Sequence, residues 1–175
     1  MNPRSLKIFE KKKGFYISPE NIVAISWTIL IFLIYYLKAT YEFNFKGWET
    51  GILILGTIYI IGLLISTFFR YEREIGEYSG KLIFWKDRIR IGNKEYNLEQ
   101  INKIELNAND IKGMFVNSTL EFSPHLSNGL DNQFLLSLKN GEKIKCNFLQ
   151  TESEKIEFFT EIFIHYHKKG IISWL

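Results

Sequence analysis

The sequence predicts a membrane-spanning helical hairpin followed by a small α+β domain, in which an antiparallel sheet of seven strands is capped by one C-terminal helix. Three observations support this fold class. The stretch from Gly51 to Phe69, GILILGTIYIIGLLISTFF, contains no charged residue and no proline. A second apolar run precedes it. Beyond Tyr78 the apolar residues alternate with polar ones, which is the period of a half-buried strand.

The apolar stretch at residues 51–69 is the strongest signal in the chain. At 1.5 Å per residue a helix of this length spans roughly 28 Å, close to the hydrocarbon core of about 30 Å in a bilayer. A helix also satisfies every backbone hydrogen bond within the segment, as lipid requires. Neither apolar run carries an ionisable residue at its centre, which argues against a proton relay or an ion-coupled transporter.

The first apolar run has a clear helix start. Ser18 suits the N-cap, Pro19 the first helical position and Glu20 the first turn. The run from Ile22 to Leu37 follows, and Lys38 can extend its ammonium group to the membrane surface. We therefore predict a two-helix hairpin over residues 21–70.

The segment before the hairpin is basic. Residues 1–20 hold five Lys and Arg against two Glu, and basic residues near a bilayer are attracted to anionic headgroups. We interpret residues 1–20 as a basic and aromatic juxtamembrane segment, acting either as a topology signal or as a lipid-sensing arm. Because positive charge flanks the outer ends of the hairpin, the positive-inside rule predicts a two-pass inner membrane protein with both termini in the cytoplasm.

Small residues mark one side of the second helix and allow another helix to approach closely. They are Gly51, Gly56, Gly62 and Ser66. The expected partner is the first helix of the same chain, and a homo-oligomer formed through this side is the alternative.

The remaining residues, 71–175, are expected to form the cytoplasmic domain. Strands are predicted at residues 81–85, 88–91, 95–98, 101–106, 118–122, 133–138 and 143–148. Asn140-Gly141 is a strong hairpin signal. The loop from Ser123 to Asn132 is long, and we expect it to expose Leu126 and Leu130 to a protein partner. The final helix is predicted to begin at Thr151, which forms a capping box with Glu154.

This order of elements is similar to a pleckstrin-homology-like (PH-like) domain. The segments GKLIFWKDRIRIGNKEYNLEQINKIEL and FLLSLKNGEKIKCNF, followed by the helix, look like the bacterial PH-like domains of small membrane proteins. The resemblance covers roughly Ser79 to Lys169. It implies a partly open barrel or sandwich, a non-catalytic binding or assembly role, and two membrane helices ahead of the domain.

The same resemblance directs attention to a group of cations. PH domains that bind phosphoinositides use basic residues on and after the first strand, and the comparable residues here are Lys86, Arg88, Arg90 and Lys94. Alternation places positions 86, 88 and 90 on one face. They are candidates for binding an anionic headgroup or another ligand; the alternative is an ordinary solvated strand face, with Asp87 among the cations.

No motif for catalysis or metal binding is present. Cys146 is the single cysteine, and its position in an alternating strand indicates an inert, inward-facing thiol. His165 and His167 are two positions apart on a helix and cannot chelate one metal together. Residues 71–175 hold 14 Lys and Arg against 15 Asp and Glu, which does not suit a nucleic-acid binder. We expect a non-enzyme without a cofactor.

Two functions remain open at this point. The leading hypothesis is a membrane-anchored interaction or sensing module whose partners are the bilayer and a protein or lipid. The alternative is an oligomeric membrane effector or immunity protein, of a defence or toxin–immunity system, gated by a ligand of the cytoplasmic domain.

Overall fold

The computed structural model describes residues 4–12, 17–41, 47–116 and 123–172. They fall into two units. The sheet unit comprises residues 4–12, 71–116 and 126–172, and the hairpin unit comprises residues 17–41, 47–70 and 123–125. The chain thus enters the hairpin unit from within the sheet unit and later returns to it.

Two helices make up most of the hairpin unit: α1 (Pro19–Tyr41) and α2 (Trp48–Thr67). The predicted start of α1 is confirmed, because Ser18 Oγ accepts the backbone N–H of Asn21 at 3.1 Å. Both helices are long and apolar enough to cross a membrane, and only 6% of the most apolar window of each is buried. A core helix of a soluble protein would be mostly buried, so the exposure favours lipid as the surroundings.

Ion pairs join the two helices at both ends of the hairpin. Lys38 near the end of α1 pairs with Glu49 in the first turn of α2 at 2.8 Å, and Glu20 in the first turn of α1 pairs with Arg70 beyond α2. These charges lie at the ends of the helices, and the helix centres between them carry no charge.

The sheet unit contains seven antiparallel strands in the order β4-β3-β2-β1-β7-β6-β5. Their bounds are β1 Ser5–Lys11, β2 Gly76–Phe84, β3 Arg88–Ile91, β4 Lys94–Asn97, β5 Ile101–Asn107, β6 Asn132–Leu138 and β7 Lys143–Phe148. The sheet is open, with β4 and β5 at its edges. Ile171 covers part of the β5 edge, because its carbonyl accepts the N–H of Ile104 at 2.7 Å.

The N-terminal strand corrects our interpretation of residues 1–20. Instead of forming a separate juxtamembrane segment, Ser5–Lys11 is β1, which pairs with β2 on one side and β7 on the other. Leu6 and Ile8 are buried in the core while Lys7 is exposed. Lys7 and Lys11, the two basic residues of β1, are therefore exposed positions of a strand whose apolar residues are buried.

The sheet domain is consequently discontinuous in sequence, and the expected domain boundaries of 1–20, 21–70 and 71–175 separate β1 from its partners. β1 and β2 pair up to Lys11 and Gly76, and the N–H of Lys12 donates to the carbonyl of Ile75 at 3.0 Å. The strands that lead to and from the hairpin therefore lie side by side.

The other strands follow the predicted pattern closely. β3 has the predicted bounds, and β4 to β7 agree within one residue, whereas β2 begins five residues earlier than expected. Gly141, in the turn between β6 and β7, has φ +89°, as the Asn-Gly signal predicts. The strand predicted at residues 118–122 lies outside the described residues.

The core of the sheet unit is aromatic. The ring of Phe84 lies 5.1 to 5.6 Å from the rings of Phe134, Phe159 and Phe163. The last two residues come from the C-terminal segment, where a 3₁₀ turn (Ile156–Phe159) leads into α3 (Thr160–Lys168). This segment covers one side of the sheet with large apolar side chains.

The C-terminal helix starts later than the predicted Thr151. Thr151 Oγ1 does accept the N–H of Glu154, at 3.2 Å, but the two residues close a separate tight turn. The capping signal was local, because the 3₁₀ turn begins only at Ile156 and α3 at Thr160.

Candidate functional site

Of the predicted basic group, the two arginines lie on the outer face of the sheet formed by β2, β3 and β4, whereas Lys94 lies opposite Ile91 on the other face. In β3, Ile89 is fully buried in the core, while its neighbours Arg88 and Arg90 are half-exposed on the other side. Strand alternation produces this arrangement, as predicted for these two arginines. Lys86 lies in the turn before β3 and Lys94 at the start of β4, and both are exposed.

An indole ring and a carboxylate organise the two arginines. The Cζ atoms of Arg88 and Arg90 lie 5.1 and 5.0 Å from the centre of the Trp85 ring. Glu95 lies opposite Arg90 in the β3–β4 pairing, accepts a hydrogen bond from Arg90 Nε at 2.8 Å, and lies 3.6 Å from Arg88 Nη1. We call Trp85, Arg88, Arg90 and Glu95 the arginine platform.

Sequence reasoning identified the arginines but missed Trp85 and Glu95. The signal for Glu95 was present, because a two-residue Gly92-Asn93 connection places Arg90 and Glu95 across from each other. Asp87, which the sequence placed among the cations, is exposed in the β2–β3 turn.

The platform has spare hydrogen-bonding capacity. The Nε of Arg88 is buried and has no hydrogen-bond partner among the described residues. A buried donor without an acceptor costs about 1–3 kcal/mol. An exposed ion pair contributes only about 0–1 kcal/mol, so an oxyanion that displaces Glu95 from the two guanidinium groups would sacrifice little ion-pair free energy.

Cations also continue along the same outer face. Lys81 of β2 lies directly opposite Lys7 of β1 in the strand pairing, and both are exposed. Like charges that face each other across a sheet destabilise it slightly. The placement gives this face a positive potential that Asp87 and Glu95 only partly offset.

Tyr166 of α3 fixes the strand end that carries the platform. Its side chain is fully buried, and its hydroxyl donates to the carbonyl of Trp85 at 2.6 Å. Burial, followed by the nearby charge of Asp87, raises the pKa of this hydroxyl well above its usual value, so it remains a donor. The C-terminal helix thereby holds the backbone beneath the arginine platform.

The expected partner loop is not an exposed surface. Leu130 is 1% exposed and packs with Phe9 and Leu149, which contradicts its predicted exposure. Leu126 is half-buried and forms isolated bridges with Tyr71 and Phe115. This loop is part of the folded interior.

Buried amide side chains explain why the loop can lie inside. Asn132 Nδ2 donates to the carbonyls of Asp110 and Gly129, and Asn132 Oδ1 accepts from Gln150 Nε2 at 2.9 Å. Gln150 Nε2 also donates to the carbonyl of Ala108 at 2.9 Å. These bonds satisfy backbone groups that would otherwise be unpaired away from water.

The predicted packing residues of α2 have different surroundings. A Cβ built on Gly56 would meet the ring of Trp27 in α1, so Gly56 is the close-approach position between the two helices. Gly51 and Gly62 have nothing within 4 Å of such a Cβ among the described atoms. Ser66 Oγ donates to the carbonyl of Leu63 in its own helix at 2.7 Å.

The cysteine and His125 have structural surroundings in the part of the chain that is described. Burial raises the pKa of the Cys146 thiol to about 11, which leaves it almost entirely protonated at neutral pH. His125 stacks on Phe68 with ring centres 4.5 Å apart. Among residues 4–12, 17–41, 47–116 and 123–172, no three His, Cys, Asp or Glu side chains are grouped to hold a metal.

Comparison with known proteins adds no family to this description. No protein-family model, no curated protein sequence and no solved structure matches the chain.

Proposed function

We propose that this protein is a membrane-anchored binding module without catalytic activity, whose PH-like sheet domain binds an anionic group on a lipid or a protein. The observation that carries this proposal is the arginine platform, on a domain whose strands β1 and β2 lead directly to and from two apolar helices. The protein thus combines a ligand-binding surface with a means of keeping it at a membrane.

The hairpin supports the anchoring role. Its two helices are apolar, and only 6% of the most apolar window of each is buried, while the pairs Lys38–Glu49 and Glu20–Arg70 place charge at its ends. From the positive-inside rule we propose that the termini and the sheet domain lie in the cytoplasm, and from the resemblance to bacterial PH-like proteins that the membrane is an inner membrane.

The sheet unit supports the PH-like assignment. Seven antiparallel strands followed by one C-terminal helix are the order of elements in that domain class. The chain differs from the family arrangement described above in one feature: a strand, β1, precedes the membrane helices. We propose that the hairpin is an insertion between the first two strands of a PH-like domain.

The arginine platform supports an anionic ligand. Two guanidinium groups lie within reach of one carboxylate and over one ring, a geometry in which a phosphate can replace the carboxylate and accept hydrogen bonds from both arginines. Lys81 and Lys7 extend the positive face beside it. The matching ligand is a phosphate or carboxylate group that competes with Glu95.

The test uses the full chain in phosphatidylcholine nanodiscs and measures capture of fluorescent vesicles that contain phosphatidylglycerol. The variant R88E/R90E should lose most of the capture, whereas K143E/K145E, which changes the charge of two exposed β7 positions by the same amount, should retain it. Competition by inorganic phosphate tests whether the phosphate group alone is recognised. Equal capture by the wild type and R88E/R90E would exclude the platform as the binding site.

The oligomeric effector remains a second candidate because one observation favours it. Gly51 and Gly62 leave open positions along α2 that no described residue of the chain fills, and small residues of this kind permit close helix contacts. Mass measurement in detergent, together with dye leakage from vesicles, separates the two. A monomer without leakage fits the anchored module, and a closed ring that releases dye fits the effector.

A further inference from the structure

Large apolar side chains are exposed on the sheet unit in two short segments. Of the seven large hydrophobic residues exposed among its described residues, five lie within residues 71–78 and 114–115. They are Tyr71, Ile75, Tyr78, Met114 and Phe115, with exposures of 39 to 57%. We call these five residues the apolar collar.

Contacts through neighbouring residues connect three of the collar residues, Tyr78, Tyr71 and Phe115. The hydroxyl of Tyr78 donates to Glu74 at 3.1 Å, and Glu74 pairs with Lys112 at 3.4 Å. The ammonium group of Lys112 lies 5.6 Å from the centre of the Tyr71 ring. Tyr71 and Phe115 are linked through the backbone of Leu126, which forms an isolated β-bridge with each of them.

The position of the collar along the chain is equally specific. Helix α2 ends at Thr67, so Tyr71 follows it by four residues, a distance of at most about 14 Å even in a fully extended chain. Ile75 accepts the hydrogen bond from Lys12, in the segment that leads to α1. Each face of a bilayer has a polar interface roughly 5–8 Å thick outside the hydrocarbon, so covalent geometry keeps Tyr71 near this layer.

We propose that the apolar collar inserts into the membrane interface and holds the sheet domain against the bilayer. This proposal rests on the membrane anchoring proposed above. Tyrosine and other aromatic rings are enriched at the interface, where an apolar body and a polar edge are both satisfied. The collar supplies two tyrosines, one phenylalanine and two aliphatic side chains.

The charges around the collar indicate which part of the membrane it contacts. Lys112 pairs with Glu74, Lys12 with Glu77 and Lys11 with Asp131. The two charges of each pair neutralise each other, so electrostatic attraction to anionic headgroups contributes little to membrane contact by the collar. Insertion of the collar should therefore depend on apolar contact and be nearly independent of the anionic lipid content, in contrast to ligand binding at the arginine platform.

The test places an environment-sensitive fluorophore on the collar of the full chain. In a Cys146→Ser background, Met114→Cys is labelled with nitrobenzoxadiazole and the protein is reconstituted in phosphatidylcholine vesicles. Phe158→Cys is the matched control, because Phe158 is an exposed apolar residue outside the collar, 44% exposed against 46% for Met114. Phe115→Cys provides a second collar position if one variant folds poorly.

We expect the label at position 114 to be quenched by lipids that carry a nitroxide near the headgroup and to be several-fold less accessible to iodide than the label at position 158. Equal iodide accessibility at the two positions would overturn the proposal. Protection from both quenchers would also overturn it, because a second copy or another protein would then cover the collar. Extraction with alkaline carbonate tests the anchoring separately: a released protein contradicts the proposed function, whereas a retained protein with an iodide-accessible collar contradicts only this inference.

Discussion

Gly56 of α2 lies against the indole ring of Trp27 in α1, so closely that a Cβ atom at position 56 would be 1.9 Å from Cη2 of that ring. We expect Gly56→Ala to push the indole out of its place. Overpacking of this kind typically costs about 1–3 kcal/mol. The change should appear as a lower free energy of hairpin unfolding in mixed micelles and as a shift in tryptophan emission.

Gly62 provides the matched control for this substitution. It lies on the same helix, yet a Cβ built there has no neighbour within 4 Å among the described atoms. In a monomeric hairpin, Gly62→Ala should leave stability unchanged or raise it by about 1 kcal/mol through helix propensity. Similar losses in both variants would show that contact with α1 is not what distinguishes Gly56.

The sheet domain should fold without the hairpin if its two ends are joined directly. The N–H of Lys12 donates to the carbonyl of Ile75 at 3.0 Å, so an Asn-Gly turn can replace residues 13–74 and continue the β1–β2 ladder. Tyr71 and Glu72 are lost in this variant. We expect a soluble chain with cooperative urea unfolding, measured by circular dichroism and fluorescence.

A chain that begins at Tyr71 is the informative contrast. It retains the whole expected C-terminal domain but lacks β1, which lies between β2 and β7 and contributes Leu6 and Ile8 to the core. Strands β2 and β7 would each lose β1 as a hydrogen-bonded neighbour, and we expect no cooperative unfolding transition. Cooperative folding of this shorter chain would show that β1 is dispensable.

The elements that local pattern determines were predicted well. The two apolar helices follow from composition alone, and β3 follows from strict alternation, which placed Ile89 in the core and the two arginines outside. These features depend on residues within a few positions of one another. A single sequence contains that information directly.

The features that were missed depend on distant partners. The residues of β1 alternate as a strand should, but the strand pairs with a distant segment: Gly76, the partner of Lys11, lies 65 positions further along the chain. The basic residues next to an apolar helix instead favoured a juxtamembrane interpretation. Leu130 can be buried because distant residues satisfy the backbone of its loop. Gln150 donates its backbone N–H to the carbonyl of Gly129 at 3.0 Å, and Asn147 donates its side-chain amide to the carbonyl of Leu130 at 3.4 Å. No local pattern reports such a pairing.

Glu72 should lower stability at neutral pH. Burial, followed by the charges of Asp131 and Asp110, raises the pKa of its carboxyl group above 4.5. The folded protein therefore binds this proton more tightly than the unfolded chain does. The stability that the proton contributes is fully present below pH 4.5 and is lost as the pH rises through the folded pKa.

The substitution Glu72→Gln removes the charge and keeps an oxygen that can accept the N–H of Asn128. In the full chain we expect a higher thermal midpoint than the wild type at pH 7, with a difference that disappears below pH 4.5. Glu99→Gln, at an exposed position, controls for the loss of one negative charge. A Glu72→Gln variant that is less stable than the wild type at pH 7 would contradict this account.

Cys146 should react slowly with thiol reagents in the folded protein. Burial raises the pKa of its thiol to about 11, so only about one molecule in a thousand carries the reactive thiolate at pH 8. A maleimide should therefore label the native wild type far more slowly than the urea-unfolded chain. In detergent, the exposed thiol of a Met114→Cys variant provides a fast reference. Mass spectrometry over a time course measures both rates. Equal rates in the folded and unfolded wild type would mean that β7 opens readily, and this would contradict its place between β1 and β6.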